Sequence, residues 1–242
     1  MFHGSTPCNN PNMLVLASAS PRRRELLTQA GFSFQVHPAH IPEDPHPNED
    51  PIAYVTRLAR EKAEAVFAEI TLANASANAG AGVGAGVGAG AGVGAGVGAG
   101  VGAPGPSQLG TGENKASPQV VLGADTTVTL DNQILGKPES PADAARMLRL
   151  LSGRTHRVIT GVAIVTAART EVAAEVTAVK FLTLSDEEIN AYIATGEPMD
   201  KAGAYAIQGR AARWIPRIEG DYFNVVGLPL ALVSTLLESG SI

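Results

Sequence analysis

Short unbroken apolar blocks alternate along the chain with stretches whose apolar residues recur every three or four positions, the pattern of strands alternating with amphipathic helices. Met13 to Ala17 (MLVLA) predicts a buried strand, followed by a turn at Ser18-Ala19-Ser20. Ser20 suits an N-cap and Pro21 the first helical position, so a helix opens there, buries Leu26 and Leu27 and stops at Gly31. Phe34 to Pro38 predicts a second strand, leading into the acidic segment Ile41 to Asp44. Asp50 and Pro51 start a second helix by the same capping logic. Its apolar residues Ile52, Val55, Leu58, Ala59, Val66, Phe67 and Ile70 are spaced as one face. Lys62 stands four residues from both Leu58 and Val66, so it points with that stripe, to snorkel to a rim or to face a cleft.

Order resumes at Val120 to Ala124, a strand continuing through Asp125-Thr126-Thr127 to Leu130 and a turn at Asp131-Asn132. Ser140 opens a third helix that ends at Gly153. Two β-rich runs follow, Val158 to Thr166 and Val172 to Leu184, which pair as antiparallel strands. Ser185 to Glu188 forms a capping box for a helix ending at Gly196, and a last helix spans about Pro229 to Glu238. This order predicts an α/β fold with a mixed sheet.

From Ala79 to Ala103 the sequence contains only Gly, Ala and Val. Such a segment offers little to bury against its large entropy cost, so residues 75–118 are expected to be a flexible insertion, and 1–12 a disordered N-terminus. Without the insertion, about 200 residues remain, enough for a single core with a cleft. Among the 242 residues, 18 Lys and Arg stand against 23 Asp and Glu. The net charge of −5 lacks the basic surplus of a nucleic-acid binder but leaves room for a small anionic ligand. A lone cysteine, Cys8, with no signal-like start and no membrane-length apolar run, predicts a soluble cytoplasmic protein.

Chemistry could gather at four places. The turn into the first helix puts Ser18, Ser20 and Arg22 around a helix N-terminus, where unpaired N–H groups suit a phosphate; a plainly capped helix is the alternative. Asp125 in Gly123-Ala124-Asp125-Thr126 ends an apolar block where a carboxylate can serve as general base or metal ligand, with glycine keeping the backbone approachable. Lys137 in Gly-Lys-Pro and Lys201 in Asp200-Lys201-Ala-Gly sit at turns able to neutralise phosphate. Gln208, between Ile207 and Gly209, carries an amide that can read a base edge. His156 has no nucleophile motif beside it and reads as an ordinary polar residue next to a strand.

Together the strings LASASPRRRELL, Ile41-Pro42-Glu43, LAREKA around Lys62, GADTTV, GKP, LSGRTHRVITGVA, DKAGAYAIQG and NVVGLPL resemble the Maf family from about Met13 to Leu237. The resemblance implies a single catalytic domain over 13–238. It also implies a twisted mixed sheet flanked by helices, in two lobes about a central cleft, similar to inosine triphosphate pyrophosphatases. It implies a metal-dependent nucleotide pyrophosphatase with Asp125 as proton acceptor and Arg22, Thr126 and Gln208 setting nucleotide preference. Ser18, Ser20, Glu43, Lys62, Lys137, Asp200 and Lys201 would line the cleft. Mg²⁺ or Mn²⁺ is the expected cofactor, with Glu43 and Asp125 as candidate ligands. The expected partners are a nucleoside triphosphate and, in a homodimer, a second copy of the chain, with neither nucleic acid nor membrane.

The AYAIQG form resembles the branch acting on dTTP and UTP, which would limit incorporation of non-canonical nucleotides and affect cell division. The alternatives are the 7-methyl-GTP branch and a non-catalytic regulator of cell division. Three positions depart from the usual pattern: Pro42 where aspartate is common, Ala206 for glycine and Asp221 for serine.

Overall fold

The computed structural model describes residues 13–80 and 119–239. The N-terminal residues 1–12 and residues 81–118 of the insertion lie outside that description. The chain divides into two compact units, residues 1–69 with 117–242, and residues 70–116. The described part of the second unit is helical, residues 70–80.

Seven strands form one mixed sheet: β1 (Met13–Leu16), β2 (Phe34–Val36), β3 (Gln119–Leu130), β4 (Gln133–Leu135), β5 (Thr155–Val165), β6 (Thr170–Lys180) and β7 (Arg217–Glu219). Their order is β2-β1-β3-β5-β6-β7, with β4 paired to β3 beyond that path. β1 runs parallel to β2 and β3, as expected where helix α1 (Pro21–Gln29) makes the crossover from β1 to β2. The β3–β5, β5–β6 and β6–β7 pairs are antiparallel. Asp131 and Asn132 both take positive φ, the geometry of a tight hairpin turn, and fold β4 back onto β3.

The remaining helices are α2 (Pro51–Gly80), α3 (Pro141–Leu151), α4 (Asp186–Ile193), α5 (Tyr222–Val226) and α6 (Leu230–Glu238). Asp50 caps α2 by accepting from the Ile52 and Ala53 N–H groups, and Ser185 with Glu188 forms the reciprocal capping box of α4. Helix α2 continues to Gly80, so the first residues of the expected loop 75–118 are helical, in keeping with their alanine content. Ile52, expected on the buried face, is exposed, because the first turn of α2 packs through Pro51 and Tyr54 instead. Sequence patterning also passes over β4, β7, α5 and three short 3₁₀ turns at Glu197–Asp200, Ala202–Ala204 and Arg210–Trp214. These pieces are too short to show a period.

Two hydrophobic clusters share the central strands. One gathers Leu122, Ala124 and Val162 with Leu26, Leu27 and Val233; the other gathers Val128, Leu130 and Val158 with Leu148, Phe181 and Trp214. Asp125, Thr126 and Thr127 lie between them along β3, with Thr126 on the face of Ala124 and Val128 and Asp125 on the opposite face, which helix α2 approaches. Among the described residues no helix is long and apolar enough to cross a membrane.

Candidate active site

The site begins with two glycines. A Cβ on Gly123 would lie 2.1 Å from the Ala59 carbonyl oxygen, and one on Gly161 would lie 2.3 Å from that of Val55. Helix α2 therefore rests its backbone directly on β3 and β5. Gly123 was expected to admit a ligand; the structure assigns it instead to the helix, because its missing side chain is filled by α2. Asp125 is two residues along β3 from Gly123 and directly across from Gly161, so its side chain projects on the same face. Close approach of α2 delivers Lys62 there, and its Nζ donates to Asp125 Oδ1 at 2.7 Å.

Lys62 Nζ also meets Glu43 Oε1 at 2.6 Å, so one ammonium joins two carboxylates. Lys62 and Asp125 are buried and Glu43 is half-exposed. Burial lifts the Asp125 carboxyl above its ordinary range, against the opposing charges of Lys62 and Arg23. Burial pushes Glu43 the same way, but there the hydrogen bond and charge of Lys62, with Lys137 and Arg23 behind them, hold the carboxyl below its usual range. The segment carrying Glu43 is strapped to α2: Tyr54 Oη donates to the Glu43 carbonyl at 2.8 Å. Arg57 donates to both oxygens of Glu49 at 2.7 Å and to the Asp44 carbonyl at 3.2 Å.

The turn after β1 forms a second wall. Ser20 occupies the N-cap position of α1 but its hydroxyl makes no capping bond, contrary to expectation. Its own N–H donates instead to Ser18 Oγ at 3.2 Å, leaving the start of the helix without a side-chain cap to compete with an anion. Arg22 is half-buried and lines the cavity. Arg23, beside Arg22 but turned inward, is buried and fastens the wall together. Its guanidinium donates to Gly227 O (2.9 Å), Ser18 Oγ (3.1 Å), Ala124 O (2.8 Å) and Thr126 Oγ1 (3.1 Å). Thr126 Oγ1 also shares a hydrogen bond with Thr160 Oγ1 at 2.9 Å, so its hydroxyl belongs to this network while the residue borders the cavity.

Lys137, following Gly136, and the Asp200–Lys201 pair also line the cavity, and the Gly203 N–H donates to the Gly136 carbonyl at 3.0 Å. Gln208 is exposed at the tip of the turn between Ala206 and Arg210 and faces the same space. Every residue singled out as a site candidate from sequence thus borders one cavity of about 650 Å³. Five cationic side chains and three carboxylates line it, a local positive surplus in a chain of net charge −5.

His156, expected as an ordinary polar residue next to a strand, lies within β5. It is buried with Phe181 and Tyr205, its Nε2 lies 2.8 Å from Tyr205 Oη, and burial pushes its pKa down to about 4. It backs Tyr205, which forms part of the cavity wall.

Arg23 and Tyr54 were both readable. Arg23 precedes Leu26 by three and Leu27 by four, and Tyr54 precedes Leu58 by four, the same spacing that marked Lys62.

Among the described residues no three His, Cys, Asp or Glu side chains gather to hold a metal. Glu43 and Asp125 do converge, on Lys62. One or two carboxylates, completed by substrate phosphates and water, are the usual protein share of a Mg²⁺ site, so this pair fits a cation that arrives with a polyphosphate.

The family model described as Maf-like protein matches residues 13–240. A protein of Koribacter versatilis (strain Ellin345) called dTTP/UTP pyrophosphatase is 44% identical over 229 residues, 95% of each chain. Proteins of the same name from Moorella thermoacetica (46% over 226 residues, 93% of each chain) and Bacillus pumilus (40% over 228 residues, 94% of this chain and 96% of the relative) are similar to it as well.

Proposed function

This chain belongs to the Maf family, and from that premise we propose that it hydrolyses dTTP and UTP to the nucleoside monophosphate and pyrophosphate. The observation that carries the reading is the junction of Asp125, Lys62 and Glu43 on the wall of a cavity that Lys137, Lys201 and Gln208 also line. A non-catalytic regulator has no use for a buried carboxylate held in register with an ammonium beside a cationic cleft.

The triphosphate lies along the α1 turn, Arg22, Lys137 and Lys201, which neutralise its charge, with Ser18 and Ser20 at the open helix N-terminus. Asp125 takes a proton from a water. The water oxygen bonds to the α-phosphorus, and the bond from that phosphorus to the bridging oxygen breaks, releasing pyrophosphate. A raised proton affinity makes Asp125 a better base, and Lys62 keeps it ionised and pointed at the cleft. A divalent cation, Mg²⁺ or Mn²⁺, would be held by Glu43 and Asp125 and would supply neutralisation and polarisation of the phosphates. The Gln208 amide meets the base, offering an acceptor to N3–H and a donor to a ring carbonyl of thymine or uracil. Thr126 borders the same space, its hydroxyl fixed by Arg23. The enzyme works in the cytoplasm, where its substrates are.

Asp125→Asn tests the assignment. It removes the base while nearly preserving shape, and pyrophosphate release should fall about 10²- to 10⁴-fold. Circular dichroism and thermal unfolding would show the fold retained. A folded variant with a near-normal rate would refute the role of Asp125.

A further inference from the structure

The turn that presents Gln208 is short, exposed at its tip, and not part of a strand or an α-helix. Discrimination by an amide depends on where that amide is held, since a turn that shifts lets the same donor and acceptor meet cytosine or a purine at another offset. Something must therefore fix residues 206–210.

A pair of side chains from the end of α4 and the 3₁₀ turn after it grips both ends of the segment. Tyr192 Oη donates to Glu197 Oε1 at 2.8 Å and accepts from the Ala206 N–H at 3.2 Å. The Glu197 carboxylate accepts the Arg210 N–H, 3.1 Å from Oε1 and 3.3 Å from Oε2. Within the turn the Gly209 N–H donates to the Ala206 carbonyl at 3.1 Å. A Cβ on Gly209 would fall 1.8 Å from Glu197 Oε1, so the glycine is there because the carboxylate lies against its backbone. Its φ of −103° is open to any residue, so crowding alone excludes a side chain. Tyr192 is buried, its ring set edge-on to Trp214 at 5.1 Å between centroids, which anchors the pair in the core.

We propose that Tyr192 and Glu197 are positioning residues for base selection. By tying the Ala206 and Arg210 N–H groups to a buried hydroxyl and the half-buried carboxylate it meets, they hold the Gln208 amide in place. This rests on the assignment of Gln208 as the base-reading residue. Neither Tyr192 nor Glu197 borders the cavity, so each acts through the turn.

The test compares kcat/KM for dTTP with that for dCTP and dGTP in Gln208→Ala, Tyr192→Phe, Gly209→Ala and Glu197→Ala, and in the Gly209→Ala/Glu197→Ala double variant. Phenylalanine keeps the ring packing and removes only the hydroxyl. Loss of the two hydrogen bonds this hydroxyl makes should lower the dTTP preference about tenfold in Tyr192→Phe, with KM for dTTP rising more than kcat falls. Gly209→Ala should do the same in the wild-type background but add little once Glu197 is Ala, because the crowding partner is gone. Exchange of the Ala206 and Arg210 amide protons should also quicken in Tyr192→Phe. Loss of base preference in Gln208→Ala, with preference unchanged in both Tyr192→Phe and Gly209→Ala, would overturn the proposal and leave the Gln208 assignment standing. Unchanged preference in Gln208→Ala would overturn that assignment, and the selection role of the pair with it.

Discussion

At the scale of single residues, Asp125 and Lys62 each alter what the other can do. Asp125 must be ionised to accept a proton, and burial works against ionisation while Lys62 and Arg23 work for it. Activity is therefore lost as pH falls through a carboxyl pKa that lies above the ordinary range. Lys62→Met removes the nearest opposing charge and should drive that pKa higher still. The acid limb of the kcat/KM profile should then move to higher pH, a shift read directly from pyrophosphate release across pH. An acid limb that stays in place, or moves to lower pH, would show that Lys62 does not set the proton affinity of Asp125. Part of this was legible in the sequence, because Lys62 interrupts an apolar stripe and a lysine in that register either snorkels to a rim or faces a cleft; its carboxylate partners were not legible. Arg23 was legible by the same spacing but was hidden among three consecutive arginines, of which Arg22 borders the cavity and Arg24 is exposed. The fixed state of Thr126 could not be read, since its partners Arg23, Thr160 and Gly227 come together only through sheet register and α5.

At the scale of elements, the Lys62–Asp125 contact depends on how far α2 stands from the sheet. Gly123 and Gly161 set that distance, and neither has a positive φ, so space rather than backbone conformation requires them. Gly161→Ala should push α2 outward, lower stability by about 1–3 kcal/mol or more, and carry Lys62 away from Asp125. Gly136→Ala is the control, since its Cβ would meet nothing within 4 Å. Urea unfolding of the two variants measures the difference, and equal stabilities would contradict the close-contact account. Capped helices and long strands followed from local signals: Asp50 at α2, Ser140 at α3, and the Ser185–Glu188 box at α4. Short pieces such as β7 and the 3₁₀ turns owe their form to pairing and tertiary contact, which leave no period in sequence. The glycine at 209 is such a case: its reason is Glu197, twelve residues earlier, and nothing adjacent to it.

At the scale of the whole molecule, two hydrophobic clusters meet along β3 and β5 and leave the polar centre of β3 facing a cationic cavity. Its lining comes from residues 17–62 and 125–227, so the insertion contributes no described group to the chemistry. Replacing residues 81–118 by a short flexible linker should leave kcat and KM for dTTP within about twofold, with loop-closure entropy changing stability only slightly. A folded deletion variant with a large loss of turnover would give the segment a part in catalysis. The central claim is that this cavity cleaves pyrimidine nucleoside triphosphates between the α- and β-phosphates. The most direct measurement is product analysis of a nucleoside triphosphate panel with Mg²⁺ or Mn²⁺, and again with EDTA. Monophosphate and pyrophosphate should appear in equal amounts, from dTTP and UTP ahead of the purine nucleotides, and be abolished by EDTA. Turnover of no nucleotide, or release of orthophosphate with a diphosphate left behind, would contradict it.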